Sequence, residues 1–238
     1  MLRPPALPLL LLLACNSHGS GDSDAGDASA GGGGCELDDA EHQGEGTYYG
    51  ADGSGNCSFP PAGDLMVAAM NELDYAGSAV CGACVAVDGP QGSVTVRIVD
   101  RCPGCAPGDI DLSQQAFERI APLEAGRVPI RWRTVACDTS GPLIYHFKDG
   151  SNPYWTAVQI RGHRHPIATF EWKAPDGQFR ALPRETYNYF VEAGGMGEGP
   201  LTFRVTDVLG NVVEDAGIPL GDAAERPSAA NFPACPSG

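Results

Sequence analysis

The stretch Val94-Thr-Val-Arg-Ile-Val-Asp100, followed closely by Cys102-Pro-Gly-Cys105 and Gly108-Asp-Ile-Asp-Leu-Ser113, sets the reading of the chain. Val94, Val96 and Ile98 alternate with Thr95, Arg97 and Val99, the period-two pattern of a strand with one buried face. Asp100 ends that strand with the parity of its apolar side. After the Cys/Pro/Gly loop, Ser113 is placed to cap a short helix over residues 114–120, with Phe117 and Ile120 inward. Val128, Ile130 and Trp132 alternate with Pro129, Arg131 and Arg133 as another strand. Strands outnumber helices, so residues 41–140 read as a β-barrel with short helical insertions.

Further on, turn signals at Asp149-Gly150, Asp176-Gly177 and Leu209-Gly-Asn211 separate more short strands. Thr156, Val158 and Ile160 share one face of such a strand. Trp155, Ala157, Gln159 and Arg161 share the other, which points Trp155 away from the core. Ala168, Phe170 and Trp172 alternate, as do Leu201, Phe203 and Val205, and Trp172 reads as packing. Residues 141–222 read as a β-sandwich, and 223–238 as a Pro/Ala-rich tail. The class is all-β.

The chain has 238 residues, a formal net charge of −15, and 32 Gly with 20 Pro. Such a charge excludes nucleic-acid binding by bulk electrostatics, and the Gly and Pro content favours turn-rich β structure. No apolar run reaches the roughly 18–20 residues of a spanning helix. Charge is unevenly placed: 13 acids and no Lys or Arg lie between Arg3 and Arg97, whereas six basic residues fall between Lys148 and Arg184. The later basic region reads either as a solvated surface or as a face for an anionic wall polymer.

Residues 1–14 hold one Arg, a Leu run and small residues, the layout of an export signal. Leu12-Leu-Ala-Cys15 resembles a bacterial lipobox, which makes Cys15 the lipidation site. Residues 15–40 then form an acidic Gly/Ser/Asp tether. The expectation is an exported protein, lipid-anchored to a bacterial membrane or cell surface or else released outside the cell, that meets the membrane through that anchor only. Of nine Cys, eight remain: Cys35, Cys57, Cys81, Cys84, Cys102, Cys105, Cys137 and Cys235. An even set in an exported chain reads as disulfides. The spacing Cys81-x-x-Cys84 with Cys102-x-x-Cys105 also fits a zinc site, and Cys102-Pro-Gly-Cys105 a redox motif, although no βαβ pattern surrounds it.

Asp100, Asp109 and Asp111 are close in sequence at a strand end and a loop. Paired carboxylates serve as acid and base in glycoside cleavage, and the competing reading is turn or cap chemistry, above all for Asp109. Exposed aromatics such as Trp155 stack on sugar faces. The direction of Tyr154, which precedes the strand, is open.

These residues resemble those of bacterial expansins. Gly46-Thr-Tyr-Tyr-Gly50 looks like the opening barrel motif, and Val99-Asp100 with Asp109-Ile-Asp-Leu-Ser113 like the acidic cleft. Residues 145–150, Pro153-Tyr-Trp-Thr-Ala-Val-Gln-Ile-Arg161 and Tyr187-Asn-Tyr-Phe-Val191 resemble the second domain's binding surface. The resemblance implies a six-stranded double-psi β-barrel followed by an immunoglobulin-like sandwich of the family 63 carbohydrate-binding type. It implies a monomer that binds cellulose or other cell-wall polysaccharides and loosens them without hydrolysis, with no cofactor and no metal. Thr47, Asp100 and Asp111 fall on polar cleft positions, Asp111 on that of the catalytic acid in family 45 hydrolases. Trp155 and Tyr187 fall on two stacking positions, Tyr154 replaces a Trp on the third, and Lys148 falls beside them. Two positions depart from the pattern. Cys102 stands where many bacterial members have a cleft tyrosine. The hydrolases' base would fall at Ala51, with Asp52 adjacent. By resemblance to plant members the disulfides are Cys57–Cys81 and Cys84–Cys137; Cys102–Cys105 would be a local bridge, and Cys35–Cys235 follows by elimination. The alternatives are a peptidoglycan lytic transglycosylase, since another bacterial lipoprotein family shares this barrel and a similar Asp pattern, a family 45-like endoglucanase, and a pure binding module.

Overall fold

The computed structural model describes residues 40–235, with Met1 and Leu37. The leader, Cys15, most of the tether and Cys35 lie outside the described residues.

Six strands close a barrel: β1 (His42–Tyr49), β2 (Val67–Asn71), β3 (Cys84–Gly89), β4 (Gly92–Cys102), β5 (Ile110–Ser113) and β6 (Val128–Val135), in the order β1-β5-β2-β4-β3-β6. β1 runs parallel to β5 and β2 to β4, while the other neighbours are antiparallel. A parallel pair cannot be made by a tight hairpin, so the chain leaves the sheet between partners. One such excursion carries the single-turn helix α1 (Glu72–Tyr75). Val94, Val96 and Ile98 do point inward, where they pack with Ile110, Leu112, Phe117, Ile120 and Trp132. Closure leaves no unpaired sheet edge.

The helix after Ser113 is shorter than the sequence suggests. The Ser113 hydroxyl accepts from the Ala116 N–H at 3.0 Å, but α2 ends at Phe117 (Gln114–Phe117). The Ile120 N–H bonds back to the Phe117 carbonyl, a tightened last turn, and Pro122 follows with no N–H to give. Ile120 is buried all the same.

Eight strands form the second body: β7 (Ile144–Phe147), β8 (Thr156–Arg161), β9 (Ile167–Lys173), β10 (Phe179–Ala181), β11 (Phe190–Glu192), β12 (Leu201–Asp207), β13 (Val212–Ile218) and β14 (Glu225–Pro227). They make two sheets, β10-β9-β12-β13 and β11-β8-β7-β14. Tyr145, Phe147, Val158 and Ile160 meet Phe170, Trp172, Phe203 and Val205 between them. Strand β14 lies in the stretch read as a tail and pairs with β7. Asp215 draws the chain beyond it inward, accepting from Tyr145 Oη (2.7 Å), Ser228 Oγ (2.6 Å) and the Ala229 N–H (2.9 Å). Among the described residues no helix is long and apolar enough to cross a membrane.

Cys57–Cys81, Cys84–Cys137 and Cys102–Cys105 are disulfides. The four cysteines with zinc-like spacing are thus distributed over three bridges. Cys235 is also disulfide-bonded, and its expected partner Cys35 lies outside the described residues.

The outward face of β8 is not open along its length. Ala157 and Gln159 are fully buried, because a barrel loop lies against this sheet. Gln159 Nε2 donates to the Cys57 carbonyl at 2.8 Å, and Asn188 Nδ2 donates to the same oxygen at 3.2 Å. Arg184 reaches from the sandwich to the Ser78 (3.2 Å) and Ala79 (3.0 Å) carbonyls, with its guanidinium over the Phe190 ring. Cys137 N–H bonds the Arg164 carbonyl at 2.8 Å where the two bodies join. Alternation locates a strand's outward face; whether another domain covers that face is a long-range matter that periodicity does not carry.

Candidate functional site

Strand register assembles the barrel cleft. Thr47 on β1 pairs with Asp111 on β5, Asp111 with Ala69 on β2, and Ala69 with Asp100 on β4. Four neighbouring strands therefore set Thr47, Asp111 and Asp100 in one row, the two carboxylate residues two strand spacings, about 10 Å, apart.

The two acids have different partners. Asp111 is half-buried, and its carboxyl is shifted above the usual range, first by desolvation and further by the charge of Asp100; the hydrogen bond from Thr47 Oγ1 (2.6 Å) works in the opposite direction. Asp100 Oδ1 accepts two backbone N–H groups, from Asn56 at 2.6 Å and Arg101 at 2.8 Å. A side chain at Gly55 would collide with it: a Cβ there falls 2.4 Å from the Asp100 carboxyl carbon. Asp109 is a turn residue, accepting from the Glu45 (2.8 Å) and Ala106 (3.0 Å) N–H groups.

Tyr49 completes the cleft and is absent from the sequence reading. It shares parity with Thr47 on β1, the signal that would have found it. Its buried hydroxyl has no hydrogen-bond partner among the described residues. Burial, then Asp100, Asp111 and Asp52, push its ionisation far upward, so it stays a neutral donor among carboxylates. Asp52 is exposed and accepts from Ser54 Oγ (2.6 Å) and N–H (2.9 Å), which holds its carboxyl below the ordinary value. Such a group is a poor general base. Ala51 beside it has no proton to exchange.

The aromatic surface is built on two turns. The Asn152 and Trp155 backbones bond to each other across a bridge, and Asn152 Oδ1 accepts from the Tyr154 N–H at 2.9 Å. Tyr154 stands at the tip, 81% exposed, and Trp155 is half-buried at the strand entrance. Behind the tip Gly195 passes so close that a Cβ would lie 2.1 Å from the Pro153 carbonyl, which only glycine permits. The second turn, closed by the Glu185 N–H on the Tyr189 carbonyl at 2.7 Å, carries Tyr187. The Tyr187 and Tyr189 rings lie 5.9 Å apart, and Lys148 Nζ sits 5.7 Å above Tyr189. Tyr189 was not singled out from sequence; it is buried and supports its neighbours. Among the described residues no ring contact joins Tyr154 or Trp155 to Tyr187.

Cleft and platform meet at Asn56. Its N–H holds Asp100, while its Nδ2 donates to the Thr186 carbonyl at 2.8 Å, directly before Tyr187. Tyr75 Oη donates to that same carbonyl at 2.8 Å.

The lytic transglycolase domain family matches residues 43–132, the barrel. A Bacillus subtilis protein, Expansin-YoaJ, is 36% identical over 180 residues, covering 73% of this chain and 77% of its own. The chain belongs to the expansin family. A Dictyostelium discoideum expansin-like protein is 31% identical over 182 residues, 71% of this chain and 44% of that one. The crystal structure of the expansin of Clavibacter michiganensis superposes with a TM-score of 0.77 at 32% identity, over 82% of this chain and all of that one. A mutant of that expansin was crystallised with cellohexaose.

Proposed function

We propose that the protein binds cell-wall polysaccharide, cellulose foremost, on the Tyr154, Trp155, Tyr187 and Lys148 surface, and loosens it through the Thr47, Asp100 and Asp111 cleft without cutting a bond. The observation that carries this reading is the Asn56 link. It ties one cleft acid to the turn bearing Tyr187, so a glucan lying on the aromatics runs toward Asp111. There, Asp111 offers a hydrogen bond that competes with those between neighbouring glucans. Hydrolysis ordinarily needs a second carboxylate as base or nucleophile roughly 5–9.5 Å from the acid. Asp100 is engaged by two N–H groups, Asp52 is held below the ordinary carboxylate range by its bonds from Ser54, and position 51 is alanine. The cellohexaose complex of the Clavibacter expansin supports the choice of substrate.

Asp111→Asn should abolish the weakening of paper while leaving cellulose adsorption nearly intact, and the wild type should release no soluble sugar. Sustained reducing-sugar release that disappears in Asp111→Asn would establish an enzyme instead. The lytic transglycolase match favours one such reading, peptidoglycan cleavage in the barrel with Asp111 as acid, and muropeptide analysis decides it. The protein is exported. The lipobox-like Leu12-Leu-Ala-Cys15 supports an anchor through Cys15; fatty-acid labelling lost in Cys15→Ser tests the anchor, and sedimentation of the soluble body tests the monomeric state expected from the family.

A further inference from the structure

A cavity of about 450 Å³ lies where the barrel meets the sandwich, and none of Thr47, Asp100 or Asp111 lines it. Phe59, Pro60, Pro61, Met66, Val67 and Val99 give it apolar walls. The volume is that of a site for one small organic molecule, and junctions between domains are where such sites concentrate. Walls of this kind suit a flat ring better than a sugar, whose hydroxyls they would leave unpaired.

Four charged residues line the cavity: Arg97, Arg161, Asp64 and Asp138. Arg161 is engaged, donating to Gln159 Oε1 at 2.5 Å and to Glu225 at 2.6 Å. Asp64 accepts from the Met66 N–H at 3.0 Å. The Arg97 and Asp138 side chains make no hydrogen bond or ion pair among the described residues, and both are exposed. In a chain of net charge −15, an Arg left unpaired beside an apolar cavity is a specific feature. It offers a planar fork to a carboxylate, while Asp138 offers an acceptor to a hydroxyl.

We propose that this cavity binds a small hydroxyaromatic carboxylate. The ring packs against Phe59, Pro60 and Pro61, the carboxylate pairs with the Arg97 guanidinium, and the ring hydroxyl donates to Asp138. No bond is made or broken, and the cleft acids take no part.

The test is calorimetric titration of the full chain with 4-hydroxycinnamate, and with 4-hydroxycinnamyl alcohol as the uncharged counterpart. The expected result is one saturable site for the acid, about tenfold weaker binding of the alcohol, and a loss of about tenfold in Arg97→Gln that Arg97→Lys partly restores. Because Arg97 is exposed, these variants should fold. Trp155→Ala and Asp111→Asn should bind the acid as the wild type does. Absence of saturable binding at millimolar acid would overturn the assignment. So would affinity unchanged by Arg97→Gln, or affinity lost in Trp155→Ala, which would put the ring on the glucan platform.

Discussion

Asp111 and Asp100 have the same side chain on neighbouring parts of one barrel rim, yet their surroundings give them different roles. Asp100, bonded to two N–H groups, holds a loop. Asp111, half-buried and facing another carboxylate, retains its proton to higher pH than an ordinary aspartate. The consequence for stability has a definite sign. A carboxyl with a raised folded-state pKa favours folding fully below its unfolded value, and that contribution is lost as pH rises through the folded value. Asp111→Asn keeps an acceptor for Thr47 and removes the ionisation, so its melting temperature should be no lower than that of the wild type at neutral pH. Any advantage should shrink as pH falls below the ordinary aspartate range. A variant melting clearly lower at neutral pH would mean that the charged form stabilises the fold. Wall weakening, if the protonated carboxyl donates to glucan oxygens, should be strongest on the acid side and decline as Asp111 ionises. Extension assays across the acidic range measure this, and a rise toward neutrality would contradict it.

Turns, rather than strands, present the platform aromatics. The bridge between Asn152 and Trp155 exposes Tyr154, and the close passage of Gly195 fixes where that turn lies. Tyr187 rides on a turn whose buried end, Asn188 and Tyr189, faces the barrel and the sheet. Truncating the ring at such a position removes contact with sugar but little packing. Trp155→Ala and Tyr187→Ala should each weaken cellulose binding by about 1 kcal/mol or more, with the fold retained. Depletion isotherms are the measurement, and two unchanged isotherms would remove the platform. Alternation placed Trp155 outward, but the same alternation would have exposed Gln159, which the barrel covers.

Barrel and sandwich are joined through groups that sit more than a hundred residues apart in the chain. Asn56 and Tyr75 converge on the Thr186 carbonyl, Gln159 and Asn188 on the Cys57 carbonyl, and Ser78 Oγ on the Glu185 carbonyl at 2.8 Å. Asn56→Ala deletes the side-chain bridge yet keeps the N–H on Asp100. It should reduce wall weakening more than adsorption, and equal loss of both would argue against coupling between cleft and platform. The Cys84–Cys137 bridge closes a span of 53 residues next to this joint. In the chain-entropy model that is worth about 4 kcal/mol. Replacing both cysteines by alanine should lower the urea-unfolding free energy by up to that amount, and a loss near zero would refute the entropic account.

Much of the architecture was legible because local pattern and global burial agree. Val94, Val96 and Ile98 alternate in sequence and face the core in space, Ser113 caps where its type suggests, and Asp100 and Asp111 fall in one row with Thr47. Disulfide pairing was not available from spacing: the CxxC pairs suit zinc as well as sulfur bridges, and family likeness alone pointed to Cys57–Cys81 and Cys84–Cys137. Other features are invisible in any local window. Tyr49 lies near Asp111 because β1 pairs with β5, and the Thr47 hydroxyl holds Asp111 while two backbone N–H groups hold Asp100. Gln159 is interior because a second domain rests on it, and Arg97 lines a cavity that exists only where two bodies meet. Periodicity reports which face of an element turns inward. What stands against the other face depends on contacts between residues far apart along the chain, and only the packed molecule brings them together.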